Sequence, residues 1–471
     1  MVKWILFAFF CGKGSSMKLF GKNNELQMTE GTIWKLLVLF SVPLLIGNLF
    51  QQFYNTVDSV VVGRFVGKEA LAAVGSTANI INVLIGCSTG LATGASVVVA
   101  QYFGAKDKKG VEDAVHTVML CTFGLCLIFT AIGILMVDPM LRLMATPADV
   151  YEGARTYLRI YFSGISFTMI YDMGAGILRA VGDSRRPLYF LIASSMLNVV
   201  LDLDFVLNYG LGIAGAAWAT VISQAASAFL ILFSLTKTDA IYRLHWNRLK
   251  LVWPILSKVV LVGLPTAFRM MITSFSNVFV MSYINFFGSA CMAGWSAYGK
   301  IDQFMFLPMQ SLALSVTTFV GQNLGANNWK RARDGINVTT KMAIFATLVL
   351  MVLIEVFAEP VVRLFTSDPD VVEYGVLFCR IVSPFYCICC VNQVLAGALC
   401  GAGDSMTPMV YMLSTFVVFR QIYLFVISRV YNTAISVVMG YPAAWVLCSL
   451  LMFWYFKSGR WERRARNITA V

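Results

Sequence analysis

The stretch PLLIGNLFQQFYNTVD, residues 43–58, lies inside an apolar run from about Ile33 to Val62. It holds Asn48, Gln51, Gln52, Asn55 and Asp58, with Ser59 just beyond. Their spacings of three and four place them on one stripe of a helix. Hydrocarbon would not tolerate that stripe, because unpaired amides and a carboxylate are costly there. The stripe must face protein or a water-filled cavity. An ionisable group in a spanning helix points to a functional site; the plainer reading is a polar seam that glues helices together.

The rest of the chain has the same character. It has 471 residues, 58% hydrophobic and 13% charged, against about 25% charged in soluble domains. Mean hydropathy is +0.75. With many apolar runs of spanning length, this is an all-α polytopic membrane protein whose partner is the lipid bilayer. The net charge of +12 comes from basic residues in short loops between apolar runs. It therefore reports topology and not a nucleic-acid partner. Eleven cysteines are scattered. Cys387, Cys389 and Cys390 share one expected helix, and their offsets do not surround a metal. The two histidines, His116 and His245, lie near loops, and HExxH, GxSxG and Walker A patterns are absent. No metal, cofactor or catalytic residue is expected, which argues against an enzyme.

Residues 1–30 read as an extension ahead of a later start such as Met17. Its run from Trp4 to Cys11 is too short to span a bilayer, and no function is assigned to it. Twelve apolar segments follow, at about 33–62, 70–103, 111–137, 152–180, 187–208, 212–236, 253–284, 290–323, 334–358, 371–400, 408–429 and 434–457. In the loops GDSRRP (182–187) and GAGDSMTP (401–408), Asp or Ser can cap the next helix, with Pro187 or Pro408 in its first turn. Loops after helices 2, 4, 6 and 8 carry Lys108, Arg185, Arg186, Arg248 and Lys330 among others, and the tail adds Arg463 and Arg464. The positive-inside rule then expects both termini in the cytoplasm.

Shifted by 221 residues, Gly67 to Pro187 lies on Gly288 to Pro408 without a gap. The identities include Gln101/Gln322, Gly176/Gly397, Asp183/Asp404, Ser184/Ser405 and Pro187/Pro408. Six helices per copy give both copies the same orientation, a parallel repeat. The expected organisation is an extension (1–30), a six-helix lobe (31–236), a cytoplasmic linker (237–252), a second six-helix lobe (253–457) and a basic tail (458–471). Two such lobes suit alternating access.

Asp58 lies 15 residues after Pro43, and Asp202 lies 15 after Pro187. At ~1.5 Å per residue each carboxylate stands roughly 22 Å beyond its proline. Asn198 precedes Asp202 by one turn, and Thr220 on the returning helix 6 reaches comparable depth. Asn55, Asp58, Asn198, Asp202 and Thr220 are thus expected in one polar pocket. Two nearby carboxylates in a low-dielectric site resist being charged together. That suits a proton carrier, and the same oxygens suit a sodium ion. The plainer reading is a pair satisfied by amide and backbone donors.

With Pro43 and Asp58, the stretches LRAVGDSRRP (178–187), LNVVLD (197–202), GAAWATVISQ (215–224) and QNLGA (322–326) resemble the multidrug and toxic compound extrusion (MATE) family. The resemblance covers roughly residues 30 to 457. It implies twelve helices in two bundles and a monomeric multidrug exporter in the bacterial plasma membrane. It implies small-molecule organic cations as substrates, exchanged for protons or sodium. The bacterial branch that fits best implies ion coupling at Asp58, Asn198, Asp202 and Thr220, with Pro43 as a bending point. Gln51, Gln52, Pro43 and Asn48 are expected to line the substrate cavity.

The chain departs from the family pattern at Asp172, Arg269 and Cys400. A second set of charges, Arg269, Lys300, Asp302 and Arg420, falls at mid-depth in the second lobe. It reads either as a site for anionic groups or, preferably, as internal pairing in which Lys300 or Arg269 neutralises Asp302. Glu355 and Glu359 are expected to be wetted at the outer end of helix 9. The rival within transport is a flippase of lipid-linked saccharides, whose cavity would be strongly cationic. The rival of another class is a membrane-embedded enzyme or receptor.

Overall fold

A computed structural model describes residues 25–144 and 146–469. Most of the N-terminal extension, Met17 included, lies outside the described residues. Every regular element is a helix, with no strand among the described residues. The first six long helices are α1 (Ile33–Val61), α2 (Lys68–Gly104), α3 (Lys108–Leu143), α4 (Ala148–Ala180), α5 (Arg185–Leu203) and α6 (Gly212–Lys237). The second six are α7 (Trp253–Asn285), α8 (Ser289–Gly325), α9 (Trp329–Arg363), α10 (Pro369–Gly401), α11 (Met406–Val430) and α12 (Ala434–Lys457). A short α13 (Arg460–Thr469) ends the described chain.

Among the described residues, eleven of these helices are long and apolar enough to cross a membrane. The exception is α4, which carries Asp149, Glu152, Arg155, Arg159, Asp172 and Arg179. Two of those cations share one partner on α3: Asp138 pairs with Arg155 at 2.8 Å and with Arg159 at 2.9 Å.

The chain forms two compact units. Unit 1 takes the described residues up to Gln27 and Ile46–Val260; unit 2 takes Met28–Leu45 and the chain from Leu261 onward. The first part of α1 is therefore grouped with unit 2, and the start of α7 with unit 1. In unit 1, α4 is central and packs on α2, α3 and α6. In unit 2, α8 packs on α9 and on both parts of α10. α10 is interrupted by a 3-10 turn at Ser383–Phe385, where Pro384 lacks a backbone donor.

The repeat is visible as packing. A Cβ on Gly176 would stand 2.8 Å from the Ala92 carbonyl oxygen of α2. A Cβ on Gly397 would stand 2.5 Å from the Ala313 carbonyl oxygen of α8. These are the same pair of positions, 221 residues apart. Glycine lets two helix backbones approach closely where lipid supplies no hydrophobic drive. The Gly-Asp-Ser loops repeat too, and in both the aspartate makes the cap. Asp183 Oδ1 accepts from the Arg185 and Arg186 N–H groups at 3.0 and 3.1 Å, while Arg186 pairs with Oδ2 at 3.1 Å. Asp404 accepts from Thr407 N at 3.2 Å and Tyr455 OH at 2.7 Å, with Arg464 of α13 at 3.4 Å.

The segments ahead of α1 and α7 are held by side chains on helix ends. In unit 2, Met28 is fully buried; its N–H donates to Gln322 Oε1 at 2.9 Å and its carbonyl accepts from Asn323 Nδ2 at 3.1 Å. In unit 1, His116 is buried and its Nε2 accepts from the His245 N–H at 3.0 Å. Thr117 Oγ1 donates to the Lys250 carbonyl at 3.2 Å and accepts from Val252 N–H at 3.1 Å. Thr117→Val keeps the shape and leaves both backbone groups unpaired. The expected destabilisation is ~1–3 kcal/mol, read as a lowered melting temperature of the purified protein. An unchanged melting temperature would show that the linker is not held there.

Candidate functional site

The polar stripe of α1 is only partly enclosed within unit 1: Gln51, Gln52 and Asp58 are half-buried, while Asn55 and Ser59 are exposed. Asp58 is half-buried, with an enclosed Oδ1 that has no hydrogen-bond partner. On α5, Asp202 is 0% and Asn198 2% exposed. All four of their side-chain oxygen and nitrogen atoms lack a partner among the described residues. Buried polar groups are otherwise nearly always paired. The one-turn spacing puts Asn198 and Asp202 on one face of α5, and Asp58 lies within electrostatic reach of Asp202. Five unsatisfied atoms on two carboxylates and an amide leave unmet demand for donors or a cation from outside the chain.

No hydrogen bond links Thr220 or Asn55 to these carboxylates among the described residues. Thr220 Oγ1 donates to the Ala216 carbonyl of its own helix at 3.1 Å, and to neither carboxylate. Asn55 is exposed, and its carbonyl accepts from Ser59 Oγ at 2.9 Å. Gln51 hydrogen-bonds Tyr54. Asn48 and Gln52 are half-buried in unit 1, while Pro43 sits half-buried in the part of α1 grouped with unit 2.

Sequence reading missed the phenols. Tyr54 lies within electrostatic reach of Asp58, Asp172 and Asp202, and Tyr157 on α4 within reach of Asp58, Asp202, Tyr54 and Tyr161. Asp172 accepts from Ser88 Oγ at 2.8 Å. The pair Tyr157–Tyr161, four apart with ring centroids 6.4 Å apart, was a legible signal on a helix whose other polar residues pair elsewhere.

Both acids sit just before a π turn. Val62–Val66 follows α1 directly and Asp204–Asn208 follows α5. The third π segment among the described residues, Leu413–Phe419, lies within α11 and ends at Arg420. A π turn inserts a residue and re-aims the side chains beside it, often at functional sites.

In unit 2 the expected pairing of Asp302 does not form. Asp302 accepts from Tyr298 OH at 3.2 Å and from Tyr386 OH. Lys300 is exposed, and Arg269 Nη1 lies 3.1 Å from the Met412 sulfur. Lys300 is two residues from Asp302 and so points to another side of α8. Arg420 is buried among neutral groups. Glu355 is not simply wetted: Ser383, at the break in α10, donates to it. Glu359 is exposed and pairs with Arg363 at 2.8 Å.

The MatE family model matches twice, over residues 43–203 and 265–426, once in each copy of the repeat. The chain belongs to the MATE family. It is 31% identical over 436 residues to the probable multidrug resistance protein YpnP of Bacillus subtilis, covering 93% of this chain and 97% of that one. It is 25% identical over 444 residues to the probable multidrug resistance protein NorM of Thermotoga maritima, covering 92% and 94%. Among solved structures, an outward-facing conformation of a multidrug resistance MATE family transporter matches with a TM-score of 0.87. That match has 24% identity and covers 96% of this chain and all of the other. This MATE protein is thus a multi-pass membrane transporter and not an enzyme.

Proposed function

We propose that this MATE transporter exports amphipathic organic cations across a bacterial plasma membrane, as a monomer with both termini in the cytoplasm. Alternating access exchanges the cation for protons or sodium, and no other cofactor takes part. One observation carries the reading: Asp58, Asn198 and Asp202 leave five enclosed polar atoms without a partner in unit 1. Two carboxylates so placed attract a cation when charged and release it when a proton or sodium ion takes them. The flippase reading has less support, because the unsatisfied centre of unit 1 is acidic where a diphosphate needs cations.

Flux of ethidium into proteoliposomes, driven separately by a proton gradient and by a sodium gradient, tests this. One of the two should drive transport; no flux under either would refute cation exchange.

Orientation has its own test. Cysteines placed at Lys108, Arg185, Arg248 and Lys330, all exposed, should react in intact cells only with membrane-permeant reagents. Arg185 serves where Arg186 would not, since Arg186 is buried. Cysteines at Asp149, Gly210 and Asp370 should react with impermeant reagents. Labelling of position 185 from outside would reverse the orientation.

A further inference from the structure

Unit 2 contains a buried guanidinium that its own lobe does not neutralise. Arg420 follows the π segment of α11 and is 3% exposed. Its Nη2 donates to Ser276 Oγ at 2.7 Å and to Asn277 Oδ1 at 2.9 Å. Its Nε is enclosed and has no acceptor. The guanidinium carbon lies 4.5 Å from the ring centre of Tyr441. All three partners are neutral, and no carboxylate forms an ion pair with Arg420 among the described residues. Buried charges are otherwise almost always paired, because desolvation is costly. Asn277, which accepts from the guanidinium, is itself exposed.

Aromatic rings continue from the cation. Tyr441 lies 5.5 Å from Trp295 and 6.2 Å from Trp445, centre to centre. Trp295 in turn lies 4.9 Å from Tyr298, whose hydroxyl holds Asp302. Tyr441 and Trp295 are half-buried, so part of each is open to a ligand. The acid at the far end of this run is satisfied by two phenols and leaves the guanidinium charge standing.

We propose that unit 2 holds a binding site for an anionic group carried on an aromatic molecule. Arg420 takes the anion through Nη1, which makes no hydrogen bond among the described residues and is not among its enclosed atoms, and Tyr441 and Trp295 offer ring faces to the rest. Arginine suits this role, since its planar fork binds carboxylate or phosphate while its face stacks on a ring. The site is independent of the cation site in unit 1, so a transporter with both accepts anions as well as cations.

The test uses the full chain in phosphatidylcholine nanodiscs and equilibrium dialysis of 1-naphthyl phosphate. The comparison ligand is 1-naphthol, which has the same rings and no anion. The phosphate should bind at least about tenfold tighter than the naphthol, and Arg420→Gln should remove that preference. Arg420→Lys should keep part of it, as a point charge without the fork. Asp58→Asn should leave it unchanged, which separates this site from the proposed cation exchange. Trp295→Leu should weaken both ligands alike, and this arm stands whether or not Arg420→Gln folds. Phosphatidylglycerol added to the discs identifies the source of the anion. Displacement of the naphthyl phosphate would assign the site to a lipid headgroup and overturn the aromatic ligand, and no displacement assigns it to a soluble anion. Equal binding of phosphate and naphthol by the wild-type protein, or full phosphate binding by a folded Arg420→Gln, would overturn the proposal.

Discussion

Asp58→Asn and Asp202→Asn should each abolish gradient-driven efflux almost completely, with the protein still folded and inserted. Asparagine keeps the size and polarity of each side chain and removes its charge. Folding should survive, because neither carboxylate is satisfied by the chain: Asp202 leaves both oxygens unpaired and Asp58 one. Each substitution therefore removes few native bonds and one desolvated charge. The double variant should be no worse than either single one, because groups that act as a unit lose their function once. Thr220→Ala should cost far less, since that hydroxyl bonds its own helix and such a bond contributes ~0.5–1.5 kcal/mol net. Strong efflux by Asp58→Asn at normal expression would move the coupling site elsewhere in the chain.

Gly397→Val should be the most damaging of the substitutions within the fold. Its Cβ would meet the Ala313 carbonyl oxygen at 2.5 Å and Thr317 Oγ1 at 3.1 Å. Thr317 already donates to both the Gly397 and Ala313 carbonyls at 2.8 Å, so it ties α8 to α10 at this point. A flexible side chain could yield, but two backbones cannot, so the cost should reach or exceed ~3 kcal/mol, the upper end for overpacking. Loss of monodisperse protein on gel filtration, or a large fall in melting temperature, is the expected readout. Gly176→Val should behave alike in unit 1 but more mildly, at 2.8 Å from Ala92. Gly299→Ala on α8, with nothing within 4 Å of the added carbon, should be neutral or slightly stabilising. Equal melting temperatures for Gly397→Val and Gly299→Ala would show that the close approach is not needed.

The fold was legible because each cue is local. Apolar runs, the Gly-Asp-Ser caps and the 221-residue shift need no knowledge of which helices touch. The acid pair was legible because an acid inside an apolar run is conspicuous, and because Asn198 and Asp202 share a face by spacing. What stayed hidden depends on contacts between helices. The partner of Asp302 was sought in Lys300, the nearest opposite charge in sequence, yet one donor comes from Tyr386 on another helix. Tyr298, four residues away on the same face, was the local clue. Thr220 was placed by depth and by the family resemblance, and neither says which way a hydroxyl turns. The π turns beside Asp58 and Asp202 leave no trace in hydrophobic period, since they lie past the polar residues whose spacing was read and a segment so short shows no period of its own.

The central claim is that a substrate cation and the coupling ion compete for the same two carboxylates. Binding of tetraphenylphosphonium to the purified protein, measured over a range of pH and of sodium concentration, tests it most directly. In the wild-type protein the affinity should fall at least about tenfold as pH is lowered or as sodium is raised, since competition for one site couples the two ligands reciprocally. In the double variant Asp58→Asn, Asp202→Asn it should be weak and flat. A wild-type affinity that responds to neither pH nor sodium, or an equal response in the double variant, would contradict the account.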